Sequence, residues 1–233
     1  MSETAQSAVV LLSGGLDSTV LLHHVVRTLG RAPVHALSYR YGQRHSRELE
    51  CAAWQTKAAG VAHCIIDLSF LGELLKGGSA LLPGATAVPD LKDLAEAQLD
   101  QPPTYVPHRN MMLLSIACAY AEAHASRDVF YGAQALDEYG YWDCTAEFVG
   151  RLNRVLSLNR REAVIVHAPF VKLKKAETLA LGLRLGVDFS HTWSCYRGED
   201  VACGACPTCV ERLNAFRAAD ATDPIPYRVP SEK

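Results

Sequence analysis

Apolar and polar positions follow two alternating rhythms along this chain. Residues 8–12 form an unbroken apolar run of strand length, a glycine-containing turn follows, and residues 19–29 repeat apolar positions at helical spacing. Residues 33–39 and 61–68 read as further strands around a helix at 47–59, and the alternation resumes with a helix at 110–124, a strand at 129–132, a helix at 145–158, a strand at 163–167 and a helix at 174–185. Strands that alternate with helices require right-handed crossovers. The pattern therefore predicts an α/β fold with a doubly wound, parallel five-stranded sheet covered on both faces. Residues 72–104 interrupt it: glycines and prolines are scattered through a stretch with only a weak helical pattern at 91–99, which is expected to be a lid-like insertion.

Composition narrows the class. The 233 residues are 49% hydrophobic and 21% charged, enough for one domain with a substantial core and an appendage. We expect the domain at residues 1–190 and the appendage at 191–233. A net charge of -2 gives no general attraction to nucleic acid, which is not an expected partner. The polar start and the short first apolar run fit neither a secretion signal nor a membrane span, so a cytoplasmic location is expected. There, eight cysteines call for an explanation other than disulfides.

The turn after the first strand reads Ser13-Gly14-Gly15-Leu16-Asp17-Ser18. Two glycines, two small hydroxyls and a following helix start gather backbone N–H groups around one point, which is an anion cradle. It lacks the lysine ending of a Walker A loop and the spacing of a dinucleotide fingerprint. Near the other end, Cys195, Cys203, Cys206 and Cys209 are spaced x7, x2 and x2. Four thiolates at that spacing favour tetrahedral structural zinc, with an iron–sulfur cluster as the alternative. Cys51, Cys64 and Cys118 lie in apolar patterns and read as small core residues.

The six-residue loop resembles the pyrophosphate loop (PP-loop) of ATP-pyrophosphatases, a resemblance that implies adenylation of a substrate with release of pyrophosphate. With Tyr41-Gly42-Gln43-Arg44-His45, Tyr105-Val106-Pro107-His108-Arg109-Asn110, Gly140-Tyr141-Trp142-Asp143-Cys144, Lys175-Ala176-Glu177 and Thr192-Trp193-Ser194-Cys195-Tyr196, nearly the whole chain resembles the 7-cyano-7-deazaguanine synthase family. The resemblance implies that ATP activates the acid of 7-carboxy-7-deazaguanine, that ammonia gives the amide, and that a second ATP drives the amide to the nitrile. By position, Leu12, Ser13, Gly14, Gly15, Leu16, Asp17, Ser18, Thr19, Val20, Leu21 and Leu22 would bind ATP with Mg2+, and the four cysteines would bind Zn2+. Ser13, Asp17, Ser18 and Arg109 would be catalytic. Arg109 and Asn110 would face the substrate, Asp137 and Asp143 its guanine-like edge, and Tyr139, Tyr141 and Trp142 its ring face. The resemblance also implies a homodimer.

Four residues depart from the family pattern beside the expected pocket: His108 stands where glycine is usual, Trp142 where proline is usual, and Tyr139 and Thr145 where serine and arginine are common; the first two add bulk and polarity. Those two motivate a variant that stops at the amide or passes the acyl group to another amine, including one on a protein. A second variant is a PP-loop tRNA thiolase, in which Cys144 would be a nucleophile. A third, non-enzymatic reading is a zinc-stapled nucleotide-binding module.

Overall fold

The computed structural model describes residues 6–43, 47–94, 102–135, 141–197 and 200–228. Among these, five strands form one parallel sheet: β1 (Ala8–Leu11), β2 (Val34–Arg40), β3 (Ala62–Asp67), β4 (Asp128–Phe130) and β5 (Ile165–His167), in the order β3-β2-β1-β4-β5. The strands β4 and β5 are shorter than their apolar runs.

Side chains along β1 alternate between two cores because successive residues of a strand point to opposite faces. Ala8 and Val10 join a cluster with α1 (Leu16–Arg27), α2 (Arg47–Ala59), α6 (Lys175–Arg184) and α7 (Pro207–Ala218), through residues such as Val20, Ala52, Leu179 and Phe216. Val9 joins the opposite cluster with α3 (Phe70–Leu74), α4 (Arg109–Ala123) and α5 (Ala146–Leu156), through Leu71, Leu114 and Phe148. On α5, Phe148, Leu152 and Leu156 recur every four residues and face that core, while Thr145 caps the helix by accepting from the Phe148 N–H at 3.1 Å.

Helix α1 begins at Leu16, three residues before the start expected from apolar spacing. Gly15 precedes it in an extended conformation, so Asp17 and Ser18 lie in the first helical turn. Helix α7 was not expected. Pro207 at its first turn, where a missing N–H costs nothing, was the local signal for it.

The described part of the 72–104 segment is packed onto the C-terminal segment. Leu81, Leu82 and Val88 share a buried cluster with Trp193 and the four cysteines. The Leu91 N–H donates to the Ala205 carbonyl at 3.0 Å, and Arg197 pairs with Asp90 and donates to the Val88 carbonyl. Only a short 3-10 turn, Leu91–Asp93, stands where the helical pattern began, and residues 95–99 of that pattern lie outside the described residues.

Arg212 ties the end of the chain to this body. It is 1% exposed and makes two bonds to Asp223, at 2.7 and 2.9 Å, while also reaching Thr192 Oγ1 and the Phe189 carbonyl. A buried cation so bonded is tolerated because each of its three nitrogens finds an acceptor, one of them a carboxylate.

Candidate active site

Strands β1 and β4 are neighbours whose connections leave in opposite directions, which opens a crevice beyond their C-terminal ends. The loop after β1 and residues 131–134 after β4 enter that crevice. The starts of α4, α6 and α7 converge there too, so one cavity of 310 Å3 is walled by Ser13, Asp17, Ser18, Glu48, Arg109, Asn110, Tyr141, Lys175, Trp193, Tyr196 and Glu211, among others.

The loop is held in shape by its own hydroxyls. Ser13 Oγ and Ser18 Oγ are 2.9 Å apart, the Gly15 N–H donates to Ser13 Oγ, the Ser13 N–H donates to Ser18 Oγ, and Ser18 Oγ donates to the Gly15 carbonyl. The Trp193 N–H donates to the Gly14 carbonyl at 3.0 Å, which joins the cysteine segment to the loop. Gly14 has φ +89°, and a Cβ there would lie 1.9 Å from the Glu48 carbonyl oxygen, so the close approach of α2 leaves room for glycine alone.

Charges cluster on this wall. Lys175 Nζ lies 2.8 Å from Glu211 and 3.6 Å from Asp17. With its amide nitrogen toward Asp17, Gln134 donates to that carboxylate at 2.8 Å and accepts from Lys175 at 3.3 Å. Burial raises the pKa of Asp17 against the opposing pull of Lys175. Burial would lower that of Lys175, but Asp17 and Glu211 carry it upward, so the ammonium persists. Across the cavity, Arg109 donates to Tyr41 Oη at 3.4 Å and lies over its ring, and Thr104 bonds Tyr141 Oη at 2.9 Å. Burial pushes the Glu48 carboxyl up to about 7, with Arg109 opposing.

Of the residues singled out from sequence, Leu12, Ser13, Gly15, Leu16, Asp17, Ser18, Arg109, Asn110 and Tyr141 line this cavity. Gly14 is pressed against α2, and Thr19, Val20, Leu21 and Leu22 are buried in the body of α1, off the cavity wall. Asp143 is buried, and its backbone carbonyl accepts from Tyr131 Oη at 3.3 Å; it does not line the cavity. Asp137 and Tyr139 lie outside the described residues. His108 and Trp142 also stand off the wall: both are exposed and meet edge to face at 5.6 Å, and the Trp142 indole donates to Tyr105 Oη. Their bulk is added to the surface.

Sequence reading assigned no role to Lys175, Glu48, Gln134 or Glu211. Lys175 stood in a quoted motif, while Glu211 was hidden because its helix went unrecognised. Cys144 lies 3.3 Å from the Asn110 amide, and burial, followed by the Asp143 carboxylate, pushes its thiol up to about 12. A thiol so shifted is a poor nucleophile, which disfavours the thiolase reading.

The four cysteine sulfurs of the C-terminal segment lie within 4.8 Å of one another, and all four residues are buried. A tetrahedral ion with bonds of about 2.3 Å sets its sulfurs roughly 3.8 Å apart, so this set fits one metal ion with little adjustment. The Cys203 N–H donates to Cys195 Sγ and the Cys206 N–H to Cys203 Sγ, bonds that favour thiolate. Cys206 and Cys209 lie at the start of α7, so the metal-binding set also anchors the helix that carries Glu211 to Lys175.

A parallel five-stranded sheet with the six-residue loop at its switch point defines the PP-loop class of α/β proteins. The chain belongs to the family described as queuosine biosynthesis protein QueC, whose model it matches over residues 7–220. It is 45% identical over 224 residues to the 7-cyano-7-deazaguanine synthase of Marinobacter nauticus, covering 95% of this chain and 97% of the relative. It is 44% identical over 222 residues to that of Caldicellulosiruptor saccharolyticus, covering 95% and 96%. The solved structure of NMN synthetase from Francisella tularensis aligns at a TM-score of 0.50 and 16% identity, over 94% of this chain and 79% of that one, a likeness of fold.

Proposed function

We propose that the protein is a C–N bond-forming ligase that makes 7-cyano-7-deazaguanine from 7-carboxy-7-deazaguanine, ammonia and ATP, releasing AMP and pyrophosphate. The observation that carries the reading is that the phosphate loop and Arg109 line one cavity in a member of this family. Ser13, Ser18 and the backbone of the loop hold the phosphates. Lys175, itself held by Asp17, Glu211 and Gln134, meets the charge that builds as pyrophosphate leaves. Arg109 takes the substrate acid in a two-pronged contact and aims it at the α-phosphorus, while Tyr141 offers a ring face to the heterocycle.

Adenylation makes chemical sense at both steps: neither a carboxylate nor an amide oxygen leaves readily, whereas AMP does. Asp17 and Glu211 are oxygen donors of the kind Mg2+ takes, and that ion, arriving with ATP, neutralises phosphate charge. Cys195, Cys203, Cys206 and Cys209 would hold Zn2+, which would fix the start of α7 and take no part in chemistry, since four thiolates close its coordination shell. His108 and Trp142, the motive for a product other than nitrile, do not line the cavity.

We assign a cytoplasmic homodimer on the family resemblance. Among the described residues no helix is long and apolar enough to cross a membrane.

The test is to incubate purified protein with the acid, ATP, Mg2+ and ammonia and to follow products by mass spectrometry. Nitrile with two AMP per turnover is expected; amide as the sole end product would overturn the reading.

A further inference from the structure

We propose that Glu48 is the proton acceptor of the amide- and nitrile-forming steps, a catalytic residue distinct from the groups that bind phosphate and acid. The inference rests on the function proposed above. Glu48 lies in the first turn of α2, and its carbonyl oxygen presses on Gly14 of the phosphate loop. Its side chain lies within electrostatic reach of Arg109, Tyr41 and Tyr196, and the residue lines the cavity. Glu48 thus lines the same cavity as the phosphate loop, which its backbone touches, and as the arginine proposed to hold the acid, and the acyl carbon and the α-phosphorus must meet in that cavity. The other carboxylates described on this wall, Asp17 and Glu211, are both within ion-pair distance of Lys175.

Both later steps release a proton at that place. When ammonia attacks the acyl adenylate, a C–N bond forms and the nitrogen becomes cationic; Glu48 takes one proton as the C–O bond to AMP breaks. When the amide oxygen attacks the α-phosphorus of the second ATP, the P–O bond to pyrophosphate breaks and one N–H proton leaves to water, giving the imidoyl adenylate. When that adenylate collapses, the remaining N–H proton passes to Glu48, the C–O bond to AMP breaks and an electron pair on nitrogen completes the C≡N bond. Each proton then returns to water, and no step needs an oxidant or reductant. Burial that brings the carboxyl to about 7 matches it to this exchange near neutral pH.

The test compares Glu48→Gln with the unmodified protein in three assays: acid-dependent exchange of pyrophosphate into ATP, hydroxamate formation with hydroxylamine, and amide plus nitrile formation with ammonia. Hydroxylamine is a stronger nucleophile whose adduct sheds its proton readily to water. The variant is expected to keep exchange and hydroxamate formation within about threefold and to lose roughly 100-fold or more of the ammonia-dependent products. Nitrile made at the unmodified rate would overturn the proposal. So would loss of exchange with a raised KM for the acid, which would make Glu48 a recognition residue. If the glutamine variant does not fold, Glu48→Asp, which keeps a carboxylate on a shorter arm, must show the same partition; equal loss of all three activities would overturn the proposal. Failure of the unmodified protein to make nitrile would instead count against the function proposed above.

Discussion

Lys175, at the start of α6, and Glu211, in the second turn of α7, meet at 2.8 Å, and the same ammonium stands 3.6 Å from Asp17 of the phosphate loop. Three elements far apart in sequence thereby fix one cation beside the anion cradle. Two carboxylates hold the charge where water is scarce, so the lysine is positioned before any phosphate arrives.

Replacing Lys175 by methionine should lower kcat by about 100- to 1000-fold, the usual cost of losing one donor aimed at developing oxyanion charge. Ser18→Ala, which removes the hydroxyl bonded to Ser13 and Gly15, should act in the same direction. Metal content should be unchanged in both, because neither residue touches the cysteines. Steady-state pyrophosphate release and elemental analysis check this, and near-normal turnover in both variants would refute the loop assignment.

Sequence pattern captured what is local. The loop was legible because glycines, hydroxyls and a helix start stand together in six residues, and the cysteines because their spacing alone is compatible with wrapping an ion. The five parallel strands followed from alternation. The Lys175–Glu211 contact was not legible: its partners are 36 residues apart and meet only because α6 and α7 pack together. Helix α7 was hidden beneath its cysteines, although Pro207 marked its start. His108 and Trp142 were expected at the pocket because they depart from the family pattern within the Arg109 and Tyr141 motifs; in the structure both are exposed and do not line this cavity.

His108→Gly should leave kcat/KM within about twofold. His108 has φ +53°, a left-handed conformation that glycine adopts freely and that costs a side chain about 1 kcal/mol. Against that gain stands the lost edge contact with Trp142, also worth about 1 kcal/mol. The two effects nearly cancel, so Tm should move by no more than about 4 °C. A tenfold loss of kcat/KM with unchanged Tm would mean that His108 reaches the substrate after all.

Removal of the metal should cost activity through geometry. Pro207, Thr208 and Glu211 line the cavity from the first turns of α7, and that helix starts between Cys206 and Cys209. Structural zinc contributes on the order of 10 kcal/mol where a small module depends on it alone. Here Arg212 with Asp223 and the packing of Phe216 also hold the helix, so part of that energy suffices to order the segment. Protein depleted by a strong chelator, or carrying Cys206→Ser, should lose one zinc per chain, fall in Tm by roughly 10 °C or more and lose kcat in parallel. Restoring zinc should recover both properties in the depleted protein and neither in the variant. Full turnover without metal would show that the packing around Arg212 alone keeps Glu211 on Lys175, and iron in place of zinc would overturn the assignment of the ion.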